Sequence, residues 1–342
     1  MSNSFDPCRS LSRRQALMGL GAGVMLSAAP AYGAGARGLT LQLGWVAGGN
    51  QLGELVARQR GYFQQENVDL RIVPGGPNND GVAAVASGSA DMGQVTSSPS
   101  LMLAASEDLP VRAFAVLTRR HPYAFFSLPQ NPVRRPADFI GKRIGVPATA
   151  RVLVSAMLNR NGIARKDVDV VTIGSDMMPL LNGQIDAVSG WVNNRAALRV
   201  LGSGVVTLKL WDCGVRLYGI PYYTTPDMLA RHSDVLAAFL RASARGWAYA
   251  YRNRAEAVDI LVSTFPALTV ADERAAADVL LDYVFDGETR VSGFGSMNAA
   301  RWQEQIDLYD SLDQFTNRVP KAEDVMTMRI LDDTAGMRPC LG

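Results

Sequence analysis

Residues 87–100 read "SGSADMGQVTSSPS", and residues 182–196 read "NGQIDAVSGWVNNRA". In each, a glycine and an aspartate lead into a short apolar stretch that ends in polar side chains. Gly88-Ser89-Ala90-Asp91-Met92 aligns with Gly183-Gln184-Ile185-Asp186-Ala187. One such segment is a strand running into a turn. Two of them, at matching places in the chain, predict two similar lobes that each present polar groups at a strand end.

The surrounding pattern fills in those lobes. "LTLQLGWV" (39–46) and "VDLRIV" (68–73) alternate as strands, and Leu52, Leu55, Val56, Gln59, Tyr62 and Phe63 recur at helical spacing between them. Gly81–Ser87 reads as a short helix, Asp91–Val95 as a strand, and Pro99 suits a first helical position before "VRAFAVL" (111–117). The rhythm repeats from "RIGV" (143–146) through a helix stopped at Gly162, "DVDVVTI" (167–173), and "DAVSGW" (186–191). Alternating strands and helices imply an α/β fold with largely parallel sheets flanked by helices. After residue 226 helices dominate, in "SDVLAAFLRASARGWAYAYRN" (233–253) and in "TVADERAAADVLLDYV" (269–284), which opens with Thr269 and Asp272 as a capping box.

Two aromatic-rich extended segments, "PYAFFSLP" (122–129) and "YGIPYYTTP" (218–226), border the second unit. If both cross between lobes, residues 39–125 and 226–342 form lobe 1, and 126–225 form an inserted lobe 2 with its hinge segments. Two crossings make a hinge around a cleft, and ligands of open α/β sheets lie beyond the carboxyl ends of the strands.

The chain has 342 residues, more than one core usually serves, with 48% hydrophobic and 19% charged residues and a net charge of +2. No basic patch interleaved with aromatics marks a nucleic-acid partner. Residues 1–36 have the layout of an export signal of the twin-arginine type: Arg13 and Arg14, a short apolar run from Ala16 to Ala29, then small residues. That run is too short to span a bilayer. Its removal predicts a periplasmic, formally neutral mature protein. Cys213 and Cys340 remain, and spacing alone leaves open whether they pair.

With only His121 and His232 in the chain and no H-E-x-x-H, C-x-x-C pair, Walker loop or G-x-S-x-G elbow, the sequence assigns no catalytic residue, metal or cofactor. His121 and His232 read as structural surface residues. The pattern favours binding over turnover. Trp45, followed by Gly48-Gly49-Asn50, is either a stacking platform or a packed strand-end tryptophan, and Trp191 poses the same choice in the second lobe. Gln94, Thr96, Ser97 and Ser98 face a ligand or cap the helix at Pro99; Thr149 and Arg151 repeat that alternative, and Tyr222 borders the second crossing.

"GWVAGGNQLGELVARQRGYFQQENVDLRIVPGG" (44–76), "VASGSADMG", "FIGKRIGVP", "LLNGQIDAVSGW" and "PDMLARHSDVLAAFLRASARGWAYA" together resemble, in order, solute-binding proteins of ABC importers. The branch is the one that carries thiamine-precursor pyrimidines, sulfonates and nitrate. The resemblance covers most of residues 39–260. It implies a two-lobe periplasmic binding protein of type II that closes on a small planar solute and delivers it, as a monomer, to an inner-membrane permease. It also implies cleft contacts at Trp45, Asn50, Gln94 to Ser98, Ala148 to Arg151, Trp191, Asn193 and Tyr222. A sulfonate, taurine or nitrate binder and an exported sensor protein are alternatives. Thiamine pyrimidine synthase is related too, but its cysteine-rich motif and early-helix histidine are missing. Where many pyrimidine-binding relatives have Asn-Glu-Pro, this chain has Asn194-Arg195-Ala196. An Arg195 facing the cleft predicts a ligand with negative charge or strong acceptors; a solvated Arg195 predicts nothing.

Overall fold

A computed structural model describes residues 35–76, 81–174 and 176–341. The expected export signal lies, apart from its last two residues, outside the described residues. Ten strands form two five-stranded sheets: β1 (Arg37–Leu43), β2 (Val68–Val73), β3 (Met92–Gln94), β4 (Arg112–Thr118), β5 (Tyr123–Ser127), β6 (Arg143–Val146), β7 (Asp169–Thr172), β8 (Ala187–Trp191), β9 (Val206–Lys209) and β10 (Gly219–Thr224). The sheet orders are β2-β1-β3-β10-β4 and β7-β6-β8-β5-β9. β1 pairs in parallel with β2 and β3, as β6 does with β7 and β8. In each sheet the fourth strand is antiparallel to its neighbours: β10, which follows the whole second sheet in the chain, in the first, and β5, which precedes the other strands of its sheet, in the second. Both sheets therefore follow one plan.

The quoted repeat has a physical cause in that plan. Asp91 Oδ2 accepts the backbone N–H of Thr40 in β1 at 2.7 Å, and Asp186 Oδ2 accepts that of Arg143 in β6 at 2.8 Å. Each aspartate precedes the strand paired with the donor strand and helps hold the register. Gly88 and Gly183 take φ of 77° and 68°, the left-handed region where a side chain is disfavoured. The short motif thus encodes a turn plus a side-chain anchor at the entry to the central strand of each lobe.

The crossings fall a few residues from where the sequence placed them. Tyr123–Ser127 and Gly219–Thr224 are buried along their whole length, so their backbone groups need ladder partners and find them inside the sheets. Residues 219–224, assigned above to lobe 2, are a strand of the first sheet, and Tyr123–Phe125, assigned to lobe 1, belong to the second. The connections themselves are residues 119–122 and 214–218, joined where the His121 N–H donates to Leu217 O at 3.1 Å. His121 is buried, not on the surface, with its ring 4.9 Å from that of Trp191. Ile220, just past the second connection, sits at φ 52°, a strained setting for a β-branched residue. Its N–H donates to Thr96 O at 3.1 Å.

Helices cover the sheets. Leu52–Gln59 crosses Ser233–Arg252 closely because both carry glycine at the contact. A Cβ on Gly53 would lie 2.2 Å from the Trp247 ring, and one on Gly246 would lie 2.1 Å from Gly53 O. Val270–Val284 is capped by Thr269, whose hydroxyl accepts the Asp272 N–H. It buries Ala277, Leu280, Leu281 and Val284 in the main core while Val279 and Tyr283 pack on the smaller cluster of Ala124, Phe126, Val188 and Leu198 in lobe 2. This helix touches both lobes. Cys213 and Cys340 are separate thiols, the first buried with its Sγ donating to Lys209 O. Among the described residues no helix is long and apolar enough to cross a membrane.

Candidate functional site between the lobes

The loops after β1 and β8, each at the carboxyl end of a strand with a parallel partner, line one cavity together with the Val270–Val284 helix. After β1 the chain turns through Gly49–Gln51 into the Leu52–Gln59 helix. That turn is fixed from beneath. Gln51 Oε1 accepts the Gly48 N–H at 3.0 Å, and Gln51 Nε2 donates to Gln94 Oε1 at 2.6 Å. Gly44 N–H donates to Gln94 O at 2.7 Å, so the end of β3 holds both ends of the loop. Gln94 is 4% exposed and acts through the loop.

Above this support lies a cavity of about 140 Å³. Gly49 and Asn50 line it from lobe 1, Asn193 from the loop after β8 in lobe 2, and Glu273, Ala276 and Leu280 from the Val270–Val284 helix. Asn193 Oδ1 is buried and has no hydrogen-bond partner. The Glu273 carboxyl is held above the usual carboxylate range, first by burial and then by the neighbouring Asp272 charge. Asp272 itself is engaged across the lobes, with Arg199 Nη1 at 2.9 Å. One helical turn thus carries an interlobe ion pair and a cavity-lining acid side by side.

The other expected contacts divide. Trp45 stands half exposed on the loop after β1, its carbonyl accepting from Gly75 N–H. Thr96 and Ser97 are half-buried at the end of β3, with Ser97 bridged to Gly219 at the hinge. Trp191 is half-buried, edge-on to Tyr123 and against His121. Thr149 and Arg151 are exposed, Arg151 donating to Thr172 Oγ1 at 2.6 Å. Arg195 is exposed in the first turn after β8 and does not line the cavity.

Two assignments need correction. Ser98 is fully buried, and its hydroxyl donates to Gln305 Oε1 and accepts from Tyr218 N–H. It ties the Ala299–Asp310 helix to the hinge; it neither faces the cleft nor caps the helix at Pro99 with its side chain. Tyr222 is fully buried within lobe 1, with its hydroxyl donating to Glu54 Oε1 and its ring against Phe239. In each case a buried hydroxyl met a partner on the core side of the sheet. Sequence reading missed Glu273, Gln51 and Glu54. Thr269-Val270-Ala271-Asp272-Glu273 read only as a helix start, and nothing local tied it to a loop eighty residues earlier.

Among the described residues no cluster of three or more His, Cys, Asp or Glu is placed to hold a metal. The arrangement offers acceptors, backbone and a closable space.

Two sheets of one plan, joined by two crossings with a cavity between them, are the fold of type II periplasmic binding proteins. The aliphatic sulphonate-binding protein SsuA of Escherichia coli superposes with a TM-score of 0.66 at 15% identity, over 84% of this chain and 97% of that one. The chain belongs to the NMT1/THI5 like family, whose model matches residues 49–257. It is 27% identical over 275 residues to the formylaminopyrimidine-binding protein of Halalkalibacterium halodurans, covering 75% of this chain and 80% of that protein. It is 25% identical over 236 residues to the 4-amino-5-hydroxymethyl-2-methylpyrimidine phosphate synthase of Legionella pneumophila, covering 67% and 74%.

Proposed function

We propose that this chain is the periplasmic solute-binding component of an ABC importer, closing its lobes on one small planar organic solute and presenting it to a membrane permease. The observation that carries this reading is the cavity in which Asn50 of one lobe meets Asn193 of the other, roofed by a helix that packs on both. A solute there touches both lobes at once and so favours the closed arrangement, because only that arrangement supplies all its contacts. The family and the formylaminopyrimidine-binding relative support a nitrogen heterocycle or a compound of similar shape.

A synthase reading has the Legionella relative in its favour. Against it, the Gly49–Gln51 turn and the Leu52–Gln59 helix contain no histidine, and among the described residues no nucleophile–base pair lines the cavity. Binding without turnover is the better account.

A thermal-shift screen of the purified protein against pyrimidines, flavins, aromatic acids, sulfonates and nitrate tests it, followed by calorimetry on any hit. The expected result is one class that binds with a stoichiometry of one and loses affinity in Asn50→Ala and Asn193→Ala. Recovery of chemically altered solute after incubation would instead favour the enzyme.

A further inference from the structure

The cavity sets the Glu273 carboxyl among the side-chain amides of Asn50 and Asn193. Glu273 is half-buried, and its Oε2 lies where a Cβ on Gly49 would approach it at 3.1 Å, so the carboxylate rests against the lobe 1 turn. Among the described residues no Lys, Arg or His lines the space with it. Arg199, which reaches the helix from lobe 2, is taken by Asp272, and Arg274, next to Glu273 in the chain, is exposed and does not line the space. Arg151 is engaged with Thr172, and Arg195 is exposed and not part of the lining. On the facing lobe, Asn193 Oδ1 is buried without a donor. Glu273 has no capping role, since the N-cap is satisfied by Thr269 and Asp272; to the helix it adds only the favourable charge of a first-turn acid. A half-buried carboxylate with no cation beside it, opposite an orphan amide oxygen, is a place where an arriving donor gains more than it would from water.

The volume sets the scale of that donor's carrier. About 140 Å³ is close to the size of a cavity that takes up a single benzene ring.

We propose that Glu273 and Asn193 form a two-acceptor clamp, one from each side of the lobe junction, that selects a cationic N–H donor group on a single-ring solute. This rests on the solute-binding reading above and makes it more specific. It also reverses the ligand charge that an inward-facing Arg195 implied. The carboxylate gives a charge-assisted hydrogen bond and the amide oxygen a second acceptor, so a planar amidinium-like group is matched on two sides. Because Glu273 adjoins the Asp272–Arg199 pair, engaging it also holds the helix against the second lobe.

Three isosteric probes separate charge from shape: benzamidinium, benzamide and benzoate, titrated into the purified protein by calorimetry. The expected order places benzamidinium at least tenfold tighter than benzamide, with benzoate weakest. Glu273→Gln is expected to reduce the benzamidinium preference at least tenfold while leaving benzamide within twofold. Asn193→Ala, on the other lobe, is expected to weaken benzamidinium without loss of the folded circular-dichroism spectrum. Equal benzamidinium affinity in wild type and Glu273→Gln, benzoate binding as tightly as benzamidinium, or no binding of benzamidinium each overturns the clamp. If the broad solute screen nevertheless finds a ligand that depends on Asn50, the solute-binding reading stands and only the clamp falls.

Discussion

Glu54 is fully buried beneath the first sheet, where Tyr222 and Trp247 both donate to its Oε1, the latter at 3.3 Å. Its other oxygen, Oε2, has no partner. No charged side chain bonds to it; Tyr222 comes from β10, Trp247 from the Ser233–Arg252 helix. Burial, opposed by the Tyr222 and Trp247 hydrogen bonds, pushes its pKa from 4.5 up to about 7. A carboxyl whose folded pKa is raised stabilises the fold fully below the unfolded value of 4.5 and loses that contribution as pH rises through about 7. At 1.36 kcal/mol per pH unit of displacement the whole loss is about 3 kcal/mol, of which about 2 kcal/mol falls between pH 5.5 and 7.5. With an unfolding entropy of about 2 cal/mol/K per residue, that is a drop in Tm of about 3 °C. Other groups titrate over the same window, so the quantity to read is the difference between wild type and Glu54→Gln, which keeps the acceptor oxygen but cannot ionise. Scanning calorimetry from pH 5.5 to 7.5 is expected to show the wild-type Tm falling relative to the variant by that amount. Parallel Tm curves for the two proteins would refute the assignment of a neutral carboxyl at this site.

Gly53→Ala is expected to destabilise lobe 1 by about 1–3 kcal/mol in urea unfolding, because the new methyl meets the fully buried Trp247 ring at the closest helix crossing. Arg199→Ala removes an ion pair whose arginine is 71% exposed, so it is expected to change stability by less than about 1 kcal/mol and solute affinity less than tenfold, with the effect fading at high salt. If residues 1–36 direct twin-arginine export, changing Arg13 and Arg14 to lysine in a fusion to a reporter active only outside the cytoplasm is expected to abolish its signal.

The lobes were legible because their signal is local and repeated. The Gly–Asp step before β3 and β8 encodes the same turn and the same aspartate-to-backbone anchor, so a reader of the sequence meets one device twice. Helix starts at Pro99 and Thr269 were legible for a similar reason, since a cap is a short-range contact. Strand membership of Gly219–Thr224 was not, because a segment buried on both faces has no alternation to distinguish a strand from a linker. The same ambiguity misplaced Ser98 and Tyr222: both sit near strand ends, and only the packed structure shows that Gln305 and Glu54 wait on the core side. Asn193 and Asn50 stood next to strand ends and glycines and could be picked out. Glu273 reaches the same cavity from a helix whose sequence describes only its own cap, and its role exists only once that helix lies across both lobes.

Whether one small solute is held between the lobes is read most directly from a crystal structure of the protein with the best ligand from the solute screen. Density for that ligand is expected in the space bounded by Asn50, Asn193 and Glu273, with both lobes in contact with it. Ligand density elsewhere on the molecule, with this space filled only by water, would contradict that expectation.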